Sequence, residues 1–169
     1  MPPISSATLA VLVVGVIVAT VVDIRTRRIP NTVTAAMAGA GLGLAAFGVG
    51  GVSLVAAALG LALGMMLMLP GHVLGATGAG DVKLMAAIGT LVGPALVVKA
   101  FLFTALAGGV LAVIVAMRRR RLAATFAGTA KLIAAPADAR SELKTAAPSS
   151  RFAYGPAIAI GSIIAVFVG

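Results

Sequence analysis

Long apolar stretches separated by clusters of basic residues constrain the fold of this 169-residue chain more than any other feature. The stretches are long enough for α-helices to cross a bilayer, which takes roughly 20 residues per helix. Hydrophobic residues make up 61% of the sequence, whereas a soluble domain has about 45–50%. The sequence therefore predicts an all-α, polytopic integral membrane protein, with no room for a separate soluble domain.

The apolar stretches predict one transmembrane domain, residues 1–169, built as a bundle of about six helices. These helices are expected at residues 6–22, 32–48, 52–69, 81–92, 95–117 and 154–168, with a cytoplasmic loop at 118–151. The fourth helix would rise only ~16 Å, about half of a hydrocarbon core. It is expected either to lie inside the bundle or to follow a glycine-rich segment that enters the membrane beside protein or water.

The basic residues predict the orientation, because Lys and Arg are enriched in cytoplasmic loops. One side of the membrane receives Arg25, Arg27, Arg28, Lys83, Arg118, Arg119, Arg120, Arg121, Lys131, Arg140, Lys144 and Arg151. Only Lys99 is expected near the other side, so both termini are predicted to be non-cytoplasmic. Since the net charge of +9 comes from these loops, we expect the bilayer as a partner and no nucleic acid.

Two carboxylates of the four in the chain lie where an apolar stretch meets basic residues, namely Asp23 and Asp81. An ionisable group at membrane depth is costly and commonly functional. Both are expected at cytoplasmic helix ends, which indicates an acid/base pair. The alternatives are that Asp23 pairs with a neighbouring arginine and that Asp81 caps a helix N-terminus.

Glycines immediately before Asp81 suggest a site where another chain approaches. Residues 78–84 read Gly-Ala-Gly-Asp-Val-Lys-Leu, and glycine removes side chains and widens the accessible backbone conformations. Such a segment suits an extended substrate held beside a carboxylate. His72 is a lone histidine and the chain has no cysteine, so no metal site and no cofactor are expected.

Glycine pairs spaced four residues apart predict close helix packing. Gly39 and Gly43 form one pair, and Gly60 and Gly64 form another. Small residues at this spacing let helix backbones approach in a membrane.

Three motifs, in order along almost the whole chain, resemble the type IV prepilin peptidases within the wider GxGD class of intramembrane aspartyl proteases. The motifs are Asp23 followed by Ile29-Pro30-Asn31, the segment 78–84, and Tyr154-Gly155-Pro156. The resemblance implies an aspartic-type endopeptidase of the inner membrane that cleaves the short basic leader from prepilins on the cytoplasmic side. It implies Asp23 and Asp81 as the catalytic pair.

The same resemblance implies substrate-binding roles for Gly78, Gly80 and Lys83, with the two glycines lining a narrow cleft. Prepilins are the implied partners, together with the pilus assembly machinery. The larger bacterial family members carry two Cys-x-x-Cys pairs and also methylate the new N-terminus. This chain resembles instead the short members of Flp-type (tight-adherence) pilus systems, so we expect no methyltransferase activity.

The alternative from another functional class is a small proton-coupled transporter that uses the same two aspartates. Intramembrane acids beside broken helices also mark ion pathways. Transport would favour acids near the midplane and an inverted repeat, whereas both acids are predicted at one end. A structural assembly protein is a third hypothesis, and it predicts that Asp→Asn changes leave function intact.

Overall fold

A computed structural model describes residues 4–118 and 154–168, and within these ranges the chain is helical and contains no strand. The elements are α1 (Ser6–Thr26), α2 (Asn31–Ala46), α3 (Leu54–Val73), α4 (Ala79–Arg118) and α5 (Gly155–Val168). The all-α prediction is confirmed, but these ranges hold five helices rather than about six. Apart from Arg118, the predicted loop at 118–151 lies outside the described residues.

The helix count differs because the predicted fourth and fifth helices form the single element α4. Gly93 is the non-helical residue within it, with φ 77° and ψ 178°. Only glycine adopts this region without steric cost, and Pro94 follows without a backbone donor. One residue therefore makes the break between segments 79–92 and 94–118, and no loop separates them.

The first segment of α4 packs antiparallel against α3 through glycines. A Cβ on Gly64 would meet the backbone of Met85, and one on Gly60 would meet the backbone of Gly89. Since Gly64 follows Gly60 whereas Met85 precedes Gly89, the two helices run in opposite directions. This confirms the predicted packing role of Gly60 and Gly64.

The other predicted glycine pair does not pack in this way. A Cβ at Gly39 or at Gly43 would meet no atom within 4 Å outside its own helix backbone and chain neighbours. The glycine spacing predicts a smooth helix surface, but the position of the neighbouring helix decides whether that surface is used.

The second segment of α4 packs antiparallel against α5. The Tyr154 side chain lies against Gly108, and Gly161 lies against Thr104. Contacts of α4 with α1, α2, α3 and α5 make this helix the centre of the described bundle.

Burial separates the two segments of α4. Residues 81–93 are all buried except Lys83, and Leu84, Met85, Ile88 and Leu91 belong to the hydrophobic core. By contrast Leu102, Leu106 and Val110 are exposed, as expected for side chains that contact lipid. The expectation that the short fourth helix lies inside the bundle is thus realised by segment 79–92.

Two helices extend beyond their predicted ends. α1 continues past Val22 to Thr26 and closes at Arg27, which has φ 53° and donates its backbone N–H to the Asp23 carbonyl. α3 continues past Leu69 to Val73 through Pro70. An apolar stretch predicts where lipid ends, whereas backbone hydrogen bonding decides where the helix ends. Asp23 therefore lies within the last turn of α1 rather than beyond it.

By length and composition, three described helical elements could cross a membrane, namely Ser6–Thr26, Leu54–Val73 and Ala79–Ile114, the last of which contains the break at Gly93. α5 is a shorter apolar helix of 14 residues. The chain is therefore a helical membrane protein, as its composition predicts.

Candidate active site

Asp23 and Asp81 meet at one end of the bundle. Asp23 occupies the last turn of α1 and Asp81 the first turn of α4. The two residues are only 5% and 7% exposed, and they lie within electrostatic range of each other. Buried acids need hydrogen-bond donors to offset the loss of hydration, so their partners define the site.

The Asp23 carboxylate is held by the first residue of α5. The backbone N–H of Gly155 donates to Asp23 Oδ2 over 2.8 Å. A Cβ at Gly155 would lie 2.8 Å from Oδ2 and 3.1 Å from the Asp23 Cβ, so no larger residue fits without displacement. An amide donor at a helix N-terminus favours a negatively charged partner. The sequence places Gly155 in a family motif but predicts no role for it in the site.

The Asp81 carboxylate is held locally. The backbone N–H of Gly78 donates to Asp81 Oδ2 over 2.8 Å. A side chain in the first turn that reaches back to the residue before the helix is the second half of a capping box. The helix-capping alternative is thus realised for one oxygen of Asp81, whose carboxylate is also within electrostatic range of Asp23.

Gly80 lies against the loop between α1 and α2. A Cβ at Gly80 would be 3.0 Å from the Ile29 Cβ and 3.3 Å from the Ile29 backbone N and O. Ile29 is itself buried. The space left by the missing side chain of Gly80 is therefore filled by this chain's own loop, which lets the end of α1 approach α4.

Lys83 lies on the opposite face of α4 from Asp81, about 200° around the helix axis. Its Nζ donates to Asn31 Oδ1 over 2.8 Å and thereby joins α4 to the start of α2. Of the three residues predicted to bind substrate, Gly78 is the one whose hydrogen bond to a catalytic candidate is described. The substrate roles of Gly78, Gly80 and Lys83 stay predictions.

Tyr154 is a further residue at this end of the bundle. Burial raises the pKa of its phenol, and the nearby Asp81 charge adds to the increase. Tyr154 also lies against Gly108. In a straight helix Gly108 would lie about 40 Å from Asp81, so the two segments of α4 run in opposite directions and the break at Gly93 reverses the chain.

His72 lies in the last turn of α3, near the loop that precedes α4. Its ring Nδ1 is 3.2 Å from the Thr77 carbonyl oxygen. Among residues 4–118 and 154–168, no group of three or more His, Cys, Asp or Glu side chains could hold a metal ion.

The arrangement has the elements of acid/base chemistry at a membrane surface. Two buried carboxyls interact at one end of a helix bundle, and each accepts a backbone amide hydrogen bond. When one such carboxyl is ionised and the other protonated, the first can accept a proton from water while the second donates a hydrogen bond.

A comparison with known families bears on this chemistry. A sequence model described as the type IV leader peptidase family matches residues 10–113, a range that includes both aspartates. No curated protein matches the chain, and no solved structure does. Because the family match extends over more than half of the sequence, the chain belongs to the type IV leader peptidase family.

Proposed function

We propose that this protein is an aspartic-type endopeptidase that removes the short basic leader from Flp-like type IV prepilins at the cytoplasmic face of the inner membrane. The observation that carries the proposal is the approach of Asp23 and Asp81, two buried acids from different helices, in a member of a leader peptidase family. Both termini then lie on the non-cytoplasmic side.

Peptide hydrolysis follows from the pair. The ionised aspartate accepts a proton from a water molecule, whose oxygen attacks the scissile carbonyl carbon. The protonated aspartate donates a hydrogen bond to the carbonyl oxygen as negative charge develops there. The tetrahedral intermediate then collapses, the C–N bond breaks, and the leaving amine takes a proton from the acid. The reaction uses no metal and no cofactor.

The substrate is a pilin precursor with an apolar helix after its leader. A peptide bond inside a helix is shielded from attack, so the bond to be cut lies in an extended segment at the membrane boundary. We place that segment beside Gly78, where a missing side chain leaves room near Asp81. The mature pilin then passes to the pilus assembly machinery.

The decisive test is replacement of each aspartate by its isosteric amide. Asp23→Asn and Asp81→Asn should each lower the rate of prepilin cleavage by about 10²–10⁴-fold, the usual contribution of a general acid or base. The two residues act as a unit, so the double variant should be no slower than the slower single variant. Cleavage is measured by gel shift of a purified prepilin in detergent.

The control is Gly39→Ala, which leaves both carboxyls unchanged and whose Cβ would meet no atom within 4 Å. Helical circular dichroism and size-exclusion profiles establish that each variant is folded. Wild-type cleavage by either Asp→Asn variant would assign that aspartate a structural role and contradict the proposal.

We also propose that the enzyme cleaves without methylating its product. The chain has no cysteine, and therefore no thiolate site of the kind found in the larger family members. Mass spectrometry of the pilin released in the presence of a methyl donor should show a free α-amine. A methyl adduct would contradict this assignment, and loss of cleavage on adding a chelator would contradict the metal-free mechanism.

A further inference from the structure

A groove lies between α2, α3 and α4, with a volume of about 360 Å³. Its walls are mostly apolar and include Ala35, Ala38, Leu61 and Met65. Its polar end is formed by Lys83 and Asn31. Ala35 and Met65 are exposed, so the groove opens onto the surface of the described bundle.

The groove lies on the opposite face of α4 from Asp81. Successive residues turn about 100° around a helix axis, so Lys83, Ala86 and Ala87 lie at about 200°, 140° and 240° from Asp81. These three residues are the contribution of α4 to the groove. An occupant of the groove therefore lies across the helix from the two carboxylates and is not positioned for hydrolysis.

Lys83 is the exposed side chain in an otherwise buried segment, residues 81–93. Its ammonium has three donors, and one of them bonds to Asn31 over 2.8 Å. Lys83 lies within one helical turn of Asp81, at the end of the bundle where basic residues cluster. This is the level expected for lipid headgroups, and the apolar walls continue from it along the helices.

We propose that this groove binds one anionic phospholipid, with its phosphate at Lys83 and Asn31 and an acyl chain along Ala35, Ala38 and Leu61. The charge of Lys83 complements a phosphate, and the apolar walls complement a hydrocarbon chain. A lipid satisfies both ends at once, whereas a pilin segment in this groove would lie on the wrong side of α4 for cleavage. The exclusion of a pilin segment rests on the proposed function, whereas the lipid assignment rests on Lys83 and the apolar walls and is tested without measuring cleavage.

The test uses the full-length protein, purified in detergent and titrated with phosphatidylglycerol or with phosphatidylcholine of the same acyl chains. Native mass spectrometry measures the fraction that carries one lipid. Phosphatidylglycerol should bind preferentially, and Lys83→Gln should weaken its binding about fivefold, the equivalent of ~1 kcal/mol for one cation near a lipid surface. Lys83→Arg should retain the preference.

Lys99→Gln is the matched control. Lys99 is also an exposed lysine of α4, but it follows the break at Gly93 and lies at the other end of the bundle from Lys83. Equal losses in the two Lys→Gln variants would show that the lipid responds only to overall charge and would overturn the proposal. Glycerol phosphate at the same concentration should not compete, because it lacks the acyl chain. Competition by it would identify a simple anion site instead.

A second variant tests the apolar part of the groove without changing charge. Ala35→Phe should fill the groove and lower phosphatidylglycerol binding, whereas Ala62→Phe, on an exposed position of α3 outside the groove, should not. Unchanged binding by folded Ala35→Phe would overturn the proposal. A crosslink between the groove and the apolar helix of a prepilin, formed in equal yield with and without phosphatidylglycerol, would assign the groove to the substrate. That result would also overturn the proposal.

Discussion

The two aspartates of the candidate site are similar in burial but differ in what holds them. Asp81 accepts its 2.8 Å hydrogen bond from Gly78, three residues earlier in the chain. Asp23 accepts its 2.8 Å hydrogen bond from Gly155, which is 132 residues later. The first contact is part of a helix cap, while the second exists only when α5 packs against the end of α1.

This difference indicates which parts of the molecule control each acid. The Asp81 carboxylate keeps its partner wherever the start of α4 moves, because both groups belong to the same turn. The Asp23 carboxylate loses the hydrogen bond from Gly155 if α5 moves away from the end of α1. We therefore expect cleavage to be more sensitive to changes at Gly155 than to changes at Gly78.

The largest effect is expected for Gly155→Ala. The new Cβ would lie 2.8 Å from Asp23 Oδ2, so either the carboxylate or α5 must shift. Misplacement of a reacting group by about 1 Å costs on the order of 100-fold in rate, and we expect a loss of that size in prepilin cleavage. Gly39→Ala, whose Cβ would meet open space, is the control and should cleave normally. A fully active Gly155→Ala would remove the distinction between the two aspartates.

An intermediate effect is expected for Gly80→Ala, which places a Cβ 3.0 Å from the Ile29 Cβ. Ile29 is buried and the close atoms are its Cβ and backbone, so the contact cannot be relieved by turning a flexible side-chain end. Overpacking of this kind costs about 1–3 kcal/mol, to be measured as a lower denaturation midpoint. Gly43→Ala serves as the control, since its Cβ has no close neighbour. An unchanged midpoint would mean that the loop between α1 and α2 does not constrain the site.

The smallest effect is expected for Gly78→Ala. Its Cβ would lie 3.2 Å from Asp81 Oδ2, but the donating amide is retained and both groups move together. We expect a loss of cleavage well below the roughly 100-fold predicted for Gly155→Ala, measured under the same conditions. A Gly78→Ala variant as impaired as Gly155→Ala would indicate that Gly78 contacts the substrate directly, as its motif implies.

Much of the fold was predictable because membrane insertion depends on hydropathy. The apolar stretches predict the helical class and the approximate positions of α1, α2, α3 and α5, and the membrane character of the protein follows from them. The predicted fourth and fifth helices are both present, but they meet at Gly93 with no intervening loop and therefore form the single element α4. At Gly93 the positive φ makes the turn with a single residue.

The candidate site was predictable in part. Asp23 and Asp81 could be chosen because buried acids are rare and costly in membranes, and their predicted positions at one end of the bundle agree with the structure. Gly155 could not be placed in the site from sequence, since its importance depends on a backbone N–H, which every residue except proline carries. Its signal in the sequence is its place in the Tyr154-Gly155-Pro156 motif at the start of an apolar helix.

By itself, the sequence determined a helical membrane protein with two acids at helix ends. Hydrophobicity and charge are properties of neighbouring residues, so their pattern along the chain predicts which segments enter the membrane. The tertiary structure decided which groups those acids contact, that Gly80 contacts Ile29, and that Lys83 bonds to Asn31 rather than facing Asp81. These contacts join residues up to 132 positions apart. They depend on how close two helices approach, which is determined by the mutual fit of many side chains and by no single motif.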